Sequence, residues 1–212
     1  MGRRATGKIP SDINLARYSF ELDALDKPLG DGPFETARPL EVEVGSGKGL
    51  FMRTAAEACP DRNFIGIEIS SRYAHYAAAQ LADGELDNAI MVRGNGVELF
   101  TDHLQTAQLH AVHVYFPDPW WKKRHRKKRI MKASFLRLIQ DRLVVGGELH
   151  FWTDVQQYFV ETLATIQAET DLDGPMEVEV GVATHDMDYR THFERRMRLN
   201  GEPIYRSRFI RR

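Results

Sequence analysis

With 212 residues and 42% hydrophobic content, the chain is long enough for one well-packed core and short for two. Its formal charge of −1 supplies no global field for a polyanion, so such a partner must meet a local patch; Arg and Lys cluster at 122–129 and 195–212, while 21–43 is acidic. One cysteine, Cys59, excludes an internal disulfide or a CxxC metal or redox centre, and no apolar stretch approaches a membrane span or a signal peptide, so a cytoplasmic location without membrane contact is expected.

Residues 1–39 hold Gly2, Gly7, Pro10, Pro28, Gly30, Gly32, Pro33 and Pro39 with little periodicity, which predicts an extended arm ahead of a single domain at 40–212. From Leu40 short apolar runs alternate with helical patterns: LEVEV at 40–44 and a helix near 49–58, then FIGIEI at 64–69 and a helix near 71–83. AIMV at 89–92 precedes a short helix at 96–104, AVHVYF at 111–116 one near 131–143, and GELHFWT at 147–153 one near 155–168. Five strand–helix units predict an α/β, doubly wound, mostly parallel sheet. MEVEVGV at 176–182 and PIYRSRFI at 203–210 add two strands as a C-terminal antiparallel hairpin, making seven.

The first of these strands runs into Glu43-Val44-Gly45-Ser46-Gly47-Lys48-Gly49, whose alternate glycines permit a tight turn and close backbone approach to a ligand. A P-loop is excluded, because Val42 fills its first glycine position and Gly49 its hydroxyl position. A dinucleotide fingerprint needs glycine where Leu50 stands and gains nothing from an acid ahead of the loop. S-adenosylmethionine carries no phosphate, and Glu43 can attract its cationic methionine end. The next strand ends in Glu68, placed for a bidentate bond to ribose hydroxyls or, alternatively, as a cap for the helix after Ser70. Asn95, in Arg93-Gly94-Asn95-Gly96, either reads an adenine edge or is an ordinary Asn-Gly turn residue.

The fourth strand delivers Phe116-Pro117-Asp118-Pro119-Trp120-Trp121 and then eight residues, Lys122 to Arg129, of which seven are Lys or Arg and the other is His125. An acid and two flat aromatics can handle a nucleobase, and cations beside them can hold its phosphates; otherwise the run is a solvated helix face and the indoles are packing. In open α/β sheets ligands bind at the carboxyl ends of the strands, where these loops converge. Asp154 ends the fifth strand as a site acid or a helix cap, and Thr191 to Glu194 forms a capping-box pattern. His125, among seven cations, suits a phosphate hydrogen bond. The eight histidines show no zinc spacing, so no metal is expected.

These segments resemble the class I, Rossmann-like methyltransferases, and within them the bacterial tRNA (guanine-N7-)-methyltransferases of the TrmB type. The resemblance runs from about Leu40 to the end and rests on EVGSGKG at 43–49, GIEI at 66–69, FPDPWWKKRHRKKRI at 116–130, TD at 153–154, THFE at 191–194 and GEPIYRSRF at 201–209. It implies methyl transfer from S-adenosylmethionine to N7 of a guanine in the variable loop of tRNA. The implied cofactor contacts are Glu43, Gly45, Gly47, Glu68, Asn95 and Asp118, with Asp118 at the reaction centre; Asn95 stands where the family commonly has Asp. The implied RNA contacts are Lys122, Arg124, His125, Arg126, Lys127, Lys128, Arg129, Asp154, Thr191, His192, Phe193 and Glu194. No protein partner is implied, and monomer and homodimer stay open.

N7 of guanine has an in-plane lone pair and no proton, so attack on a sulfonium methyl needs no general base. Asp118 is expected to hold the guanine N1–H or amino group and favour the charge that moves onto the purine. Two other classes compete. A non-catalytic RNA-binding protein is opposed by the acids at 43, 68 and 118. An amino-methyltransferase acting on adenine or cytosine would use an Asn/Asp-Pro-Pro-aromatic elbow, whereas Trp120 replaces the second proline here. A cytosine-C5 mechanism needs a thiol, and Cys59 lies far from the rim loops.

Overall fold

The computed structural model of the chain describes residues 7, 9, 12–30 and 32–212. In chain order its elements are β1 (Ser19–Glu21), β2 (Leu40–Val44), α1 (Leu50–Ala58), β3 (Asn63–Glu68), α2 (Ser71–Asp83), β4 (Ala89–Arg93) and α3 (Gly96–Glu98), which continues as a π turn at Leu99–His103. There follow β5 (Leu109–Tyr115), a 3-10 turn at Lys123–Lys128, α4 (Ala133–Arg142), β6 (Leu143–Thr153), α5 (Gln156–Glu169), β7 (Leu172–Met176), α6 (His192–Leu199) and β8 (Tyr205–Arg211).

The strands form one sheet in the order β1-β4-β3-β2-β5-β6-β8-β7, parallel from β1 to β6 and antiparallel at β8 and β7. From β2 the chain winds outward through β3 and β4, then returns to the other side of β2 as β5. The winding reverses between β2 and β5, and at such a reversal the loops diverge and leave a crevice beyond the strands' carboxyl ends. The glycine loop and the Asp-Pro-Trp-Trp elbow leave these two strands.

Strands covered on both faces must be apolar on both, which is why β3, β4 and β5 read as near-continuous hydrophobic runs. The helices α1 and α2 cover one face, packing Phe51, Met52, Ala77 and Leu81 against Phe64, Met91, Tyr115 and Trp152. On the other face Phe100, Phe135, Leu136, Ile139, Tyr158 and Ile166 join the central strands. Full burial of one such ring, Phe135 for example, stabilises by about 1.5–3 kcal/mol. The buried stripe of α2 is small, with Ala74, Ala77 and Ala78, and it admits the glycine loop closely. A Cβ at Gly49, whose φ is +75°, would lie 2.5 Å from that of Ala77.

The sheet has eight strands where seven were expected. The additional one, β1, lies within the segment expected to be an extended arm, and Leu22, Leu25 and Leu29 just after it are buried. Three residues cannot show a period, and what holds β1 is remote in sequence. Arg93 Nε donates to both Glu21 carboxylate oxygens at 2.8 and 2.7 Å, and Gly94 leaves room for Leu22, whose Cβ would be 2.6 Å from a Cβ there. Of the expected arm, residues 1–6, 8, 10, 11 and 31 lie outside the described residues.

The strand expected at 176–182 is also corrected. The edge strand β7 ends at Met176, and 177–182 belong to no strand. Val178 packs against the cluster that contains Phe51, Tyr115 and Trp152, whereas Val182 is exposed. Alternating valines here report one packed side, not a ladder partner. The connection between β7 and β8, the two strands of the expected hairpin, contains α6.

Candidate active site

The loop after β2 closes on itself through its backbone. Gly45 N donates to the Ile67 carbonyl at 2.8 Å and Gly49 N to that of Ser46 at 2.9 Å. Gly45, Gly47 and Gly49 all have positive φ, and no atom lies within 4 Å of where a Cβ at Gly45 or Gly47 would stand, so the loop faces open space. Glu68 ties this loop to the next strand: its Oε2 accepts from Gly47 N at 2.9 Å and its Oε1 from Ser70 N at 2.8 Å. A carboxylate has about four acceptor positions, so these two bonds leave room for a ligand's hydroxyls while also fulfilling the capping alternative.

Glu43 is the unusual acid. It is 2% exposed, and its Oε2 is buried with no hydrogen-bond partner. Burial, with the charge of Glu68 adding to it, pushes the carboxyl up to about 8. A buried orphan acceptor beside an open loop fits a cationic ligand end, such as the ammonium expected of S-adenosylmethionine. Asn95 is exposed and caps α3, accepting from Val97 N at 3.0 Å and donating to Glu98 at 3.1 Å. Those bonds match its turn-residue alternative.

Beneath α1 lies a buried polar chain centred on His113, which no local sequence pattern marks. The His113 Nε2 contacts Glu41 at 2.8 Å, its Nδ1 contacts the Tyr115 hydroxyl at 2.9 Å, and Arg62 also pairs with Glu41. Burial brings His113 down to about 4, against the opposing pull of Glu41, so the imidazole is neutral and donates to the carboxylate. Burial alone would raise Glu41, but the bonds from His113 and Arg62 outweigh it and hold the acid at about 2.

The elbow after β5 is built differently. Phe116 N donates to the Trp152 carbonyl at 2.8 Å, and then Phe116 and Trp120 both take positive φ, +51° and +44°. Non-glycine residues in that region cost of order 1–3 kcal/mol each and persist only where surroundings hold them. The Phe116 ring lies 4.7 Å from that of Phe193 on α6. A cavity of about 470 Å³ opens here, lined by Phe116, Pro117, Asp118, Pro119, Trp120, Trp121, Lys122, His125, Asp154 and Phe193. Thus Asp118, Lys122, His125, Asp154 and Phe193, expected from distant parts of the chain, come together. Burial raises Asp154 above the ordinary carboxylate range, opposed by the charge of Arg196, which stacks 4.4 Å from the Phe193 ring.

The basic run divides. Lys122, Arg124, Lys127 and Lys128 are exposed, and Lys128 Nζ sits 4.9 Å from the Trp120 ring centre. Arg126 and Arg129 turn inward and share Glu161 of α5. Neither pairing has a sequence signal, because Glu161 is one polar residue on an ordinary amphipathic helix.

The Thr191–Glu194 pattern starts α6, with Thr191 Oγ1 accepting from Glu194 N at 3.0 Å. Glu194 is 1% exposed and bonds Arg190 N at 2.7 Å and Arg206 at 3.1 Å, so it fastens the helix to β8. Burial lowers His192, and the positive charges of Lys48 and Arg195 act in the same direction. Among the described residues no group of three or more His, Cys, Asp or Glu is placed to hold a metal, and no helix is long and apolar enough to cross a membrane.

A protein-family model described as "Putative methyltransferase" matches residues 37–207. The tRNA (guanine-N(7)-)-methyltransferase of Rhodopirellula baltica is 48% identical over 187 residues, 84% of this chain and 68% of that protein. The protein of the same name from Thiobacillus denitrificans is 33% identical over 182 residues, 86% and 79% of the two chains. Among solved structures, the aminoglycoside resistance methyltransferase NpmB1 superposes with a TM-score of 0.58 at 20% identity, covering 84% of this chain and 89% of that one. Precorrin-6y C5,15-methyltransferase from Geobacter metallireducens gives 0.56 at 12% identity, covering 82% of each. At those identities the likeness establishes the class I methyltransferase fold alone.

Proposed function

We infer, for a chain that belongs to the tRNA (guanine-N(7)-)-methyltransferase family, that its activity is transfer of a methyl group from S-adenosylmethionine to N7 of a guanine in tRNA. The observation that carries this reading is the elbow cavity, in which two carboxylates, two indoles and two basic side chains from β5, β6 and the following loops line one space.

S-adenosylmethionine, when bound, supplies a methyl on a sulfonium centre. The backbone of Gly45 and Gly47 gives it close approach, Glu43 neutralises its ammonium, and Glu68 accepts from its ribose hydroxyls. Asn95 has an amide suited to an adenine edge once its capping bonds are shared. Because N7 has no proton to lose, the residues at the elbow need only align and stabilise. Alignment of the two reactants is worth roughly 7–11 kcal/mol of barrier. As positive charge spreads onto the purine, Asp118 holds the ring's N1–H or amino edge, and Asp154 adds a second acid on the same cavity. Trp121, 67% exposed, offers its face to the base, while Lys128 and His125 already lie against Trp120. The exposed cations Lys122, Arg124, Lys127 and Lys128 meet the flanking phosphates.

The test is to incubate the protein with labelled S-adenosylmethionine and unmodified bulk tRNA, then digest and identify the nucleoside by mass spectrometry. N7-methylguanosine is expected. N6-methyladenosine as the product would replace this reading with the amino-methyltransferase alternative.

A further inference from the structure

The strained elbow is held from a helix that does not touch its cavity. The Pro119 carbonyl, one residue after Asp118, accepts from Arg129 Nε at 2.7 Å. Arg129 is 8% exposed and cannot hold this place as an uncompensated charge. Its guanidinium lies 4.4 Å from the Tyr158 ring centre and its Nη1 donates to Glu161, both on α5. Glu161 is itself fixed, accepting from Gln157 at 2.8 Å and Arg126 at 3.2 Å. Tyr158 is 1% exposed, and its hydroxyl accepts from Met131 N at 3.3 Å, pinning the chain on the far side of Arg129. Arg129 Nε and Nη1 are thus both engaged inside the protein, on Pro119 and on Glu161.

We propose that Glu161 and, through it, Arg129 are positioning residues that set the Asp118–Pro119 elbow for methyl transfer, and that Arg129 is not a phosphate ligand of the RNA. The proposal rests on the proposed function for its kinetic consequence, but its structural consequence is independent of it. The alternative, that Arg129 swings out to a phosphate, requires breaking both the Pro119 and Glu161 bonds and leaves the Pro119 carbonyl and Glu161 Oε2 without that donor.

The full chain and its Glu161→Ala, Glu161→Gln and Arg129→Lys variants are compared by steady-state kinetics, tRNA affinity against salt, and nitrogen-15 spectra of the indoles. Glu161→Ala and Arg129→Lys are expected to lower kcat by about tenfold or more, since small misplacements at a reacting centre are this costly. Their tRNA affinity and salt slope stay close to the parent's, and Glu161→Gln, which keeps an acceptor for Arg129, recovers most of the rate. The Trp120 and Trp121 indole resonances move, while that of Trp152 does not. Should Glu161→Ala fail to fold, the two conservative variants still decide. An unmoved Trp120 resonance with parental kcat overturns the proposal, as does a loss that falls on tRNA affinity with a flattened salt slope. A parent that makes no N7-methylguanosine overturns the functional reading instead, and the indole spectra then test the brace by themselves.

Discussion

The glycine loop after β2 and the elbow after β5 are neighbours on one sheet edge and are held by opposite means. The glycine loop is closed by backbone bonds within residues 45–49 and to β3, and its residues at positive φ are glycines. The elbow puts Phe116 and Trp120 into the same backbone region and is held by Arg129, with α5 behind it. A site that only binds can rest on a self-contained loop. Aiming a carboxylate at a shifting charge, the role proposed for Asp118, needs rigid support, here drawn from another helix.

The largest expected effect separates the two regions directly. Asp118→Asn keeps the shape of the elbow but removes the charge that favours a cationic purine. Methyl transfer should fall by about 10²–10³, or about 2.7–4 kcal/mol, with cofactor affinity nearly unchanged. Single-turnover rates and calorimetry on the folded variant measure both quantities. A rate within about twofold of the parent would make Asp118 a turn residue and remove the contrast between the regions.

Glu68→Ala acts on the other region. It deletes the acceptor of Gly47 N and Ser70 N as well as the proposed ribose contact, so S-adenosylmethionine affinity should drop by about 1.5–3 kcal/mol while turnover at saturating cofactor is kept. If calorimetry finds affinity intact and only the melting temperature lowered, Glu68 serves the loop alone.

These regions also differ in what sequence could reveal. The turn of the glycine loop was legible because its backbone needs glycine at three positions of positive φ within five residues. The parallel order of β2 to β6 followed from alternation of strands and helices. The run 122–129 looked uniform, yet its cations have different fates, decided by Glu161 on a separate helix. Local composition cannot report which cation has a distant counterion. For the same reason β1 escaped notice, since its Glu21–Arg93 pair and the space at Gly94 arise only once the sheet forms. The valines at 176–182 erred in the other direction, their alternation being satisfied by one packed residue.

The orphaned acid of the glycine loop gives a smaller, pH-dependent effect. Glu43 has a folded-state value of about 8, above the ordinary carboxylate value of 4.5, so its contribution to stability is complete below about 4.5 and is lost as pH rises toward 8. A cationic ligand end favours the carboxylate, so cofactor binding should expel this proton and tighten with pH by up to about 1.4 kcal/mol per unit across that window. Calorimetry near pH 6.5 in two buffers of different ionisation enthalpy should show close to one proton released, and Glu43→Gln should abolish it. Equal heats in both buffers for the parent would mean that Glu43 keeps the same protonation state with and without ligand.

The smallest effect is expected where the two halves of the basic run are set against each other. Phosphate contacts release counterions, at about 0.7 per contact on a single strand. Replacing Lys122, Arg124 and Lys127 with Ala should therefore flatten the plot of log affinity for tRNA against log salt by about two units and weaken binding to all sequences alike. Arg126→Ala should leave the slope within a fraction of a unit of the parent's, because Arg126 already spends its charge on Glu161. Filter-binding titrations at several salt concentrations measure both variants on one scale. A slope that falls equally for Arg126 would show that its bond to Glu161 opens on the RNA, and an unchanged slope for the triple variant would take the exposed cations out of the RNA interface.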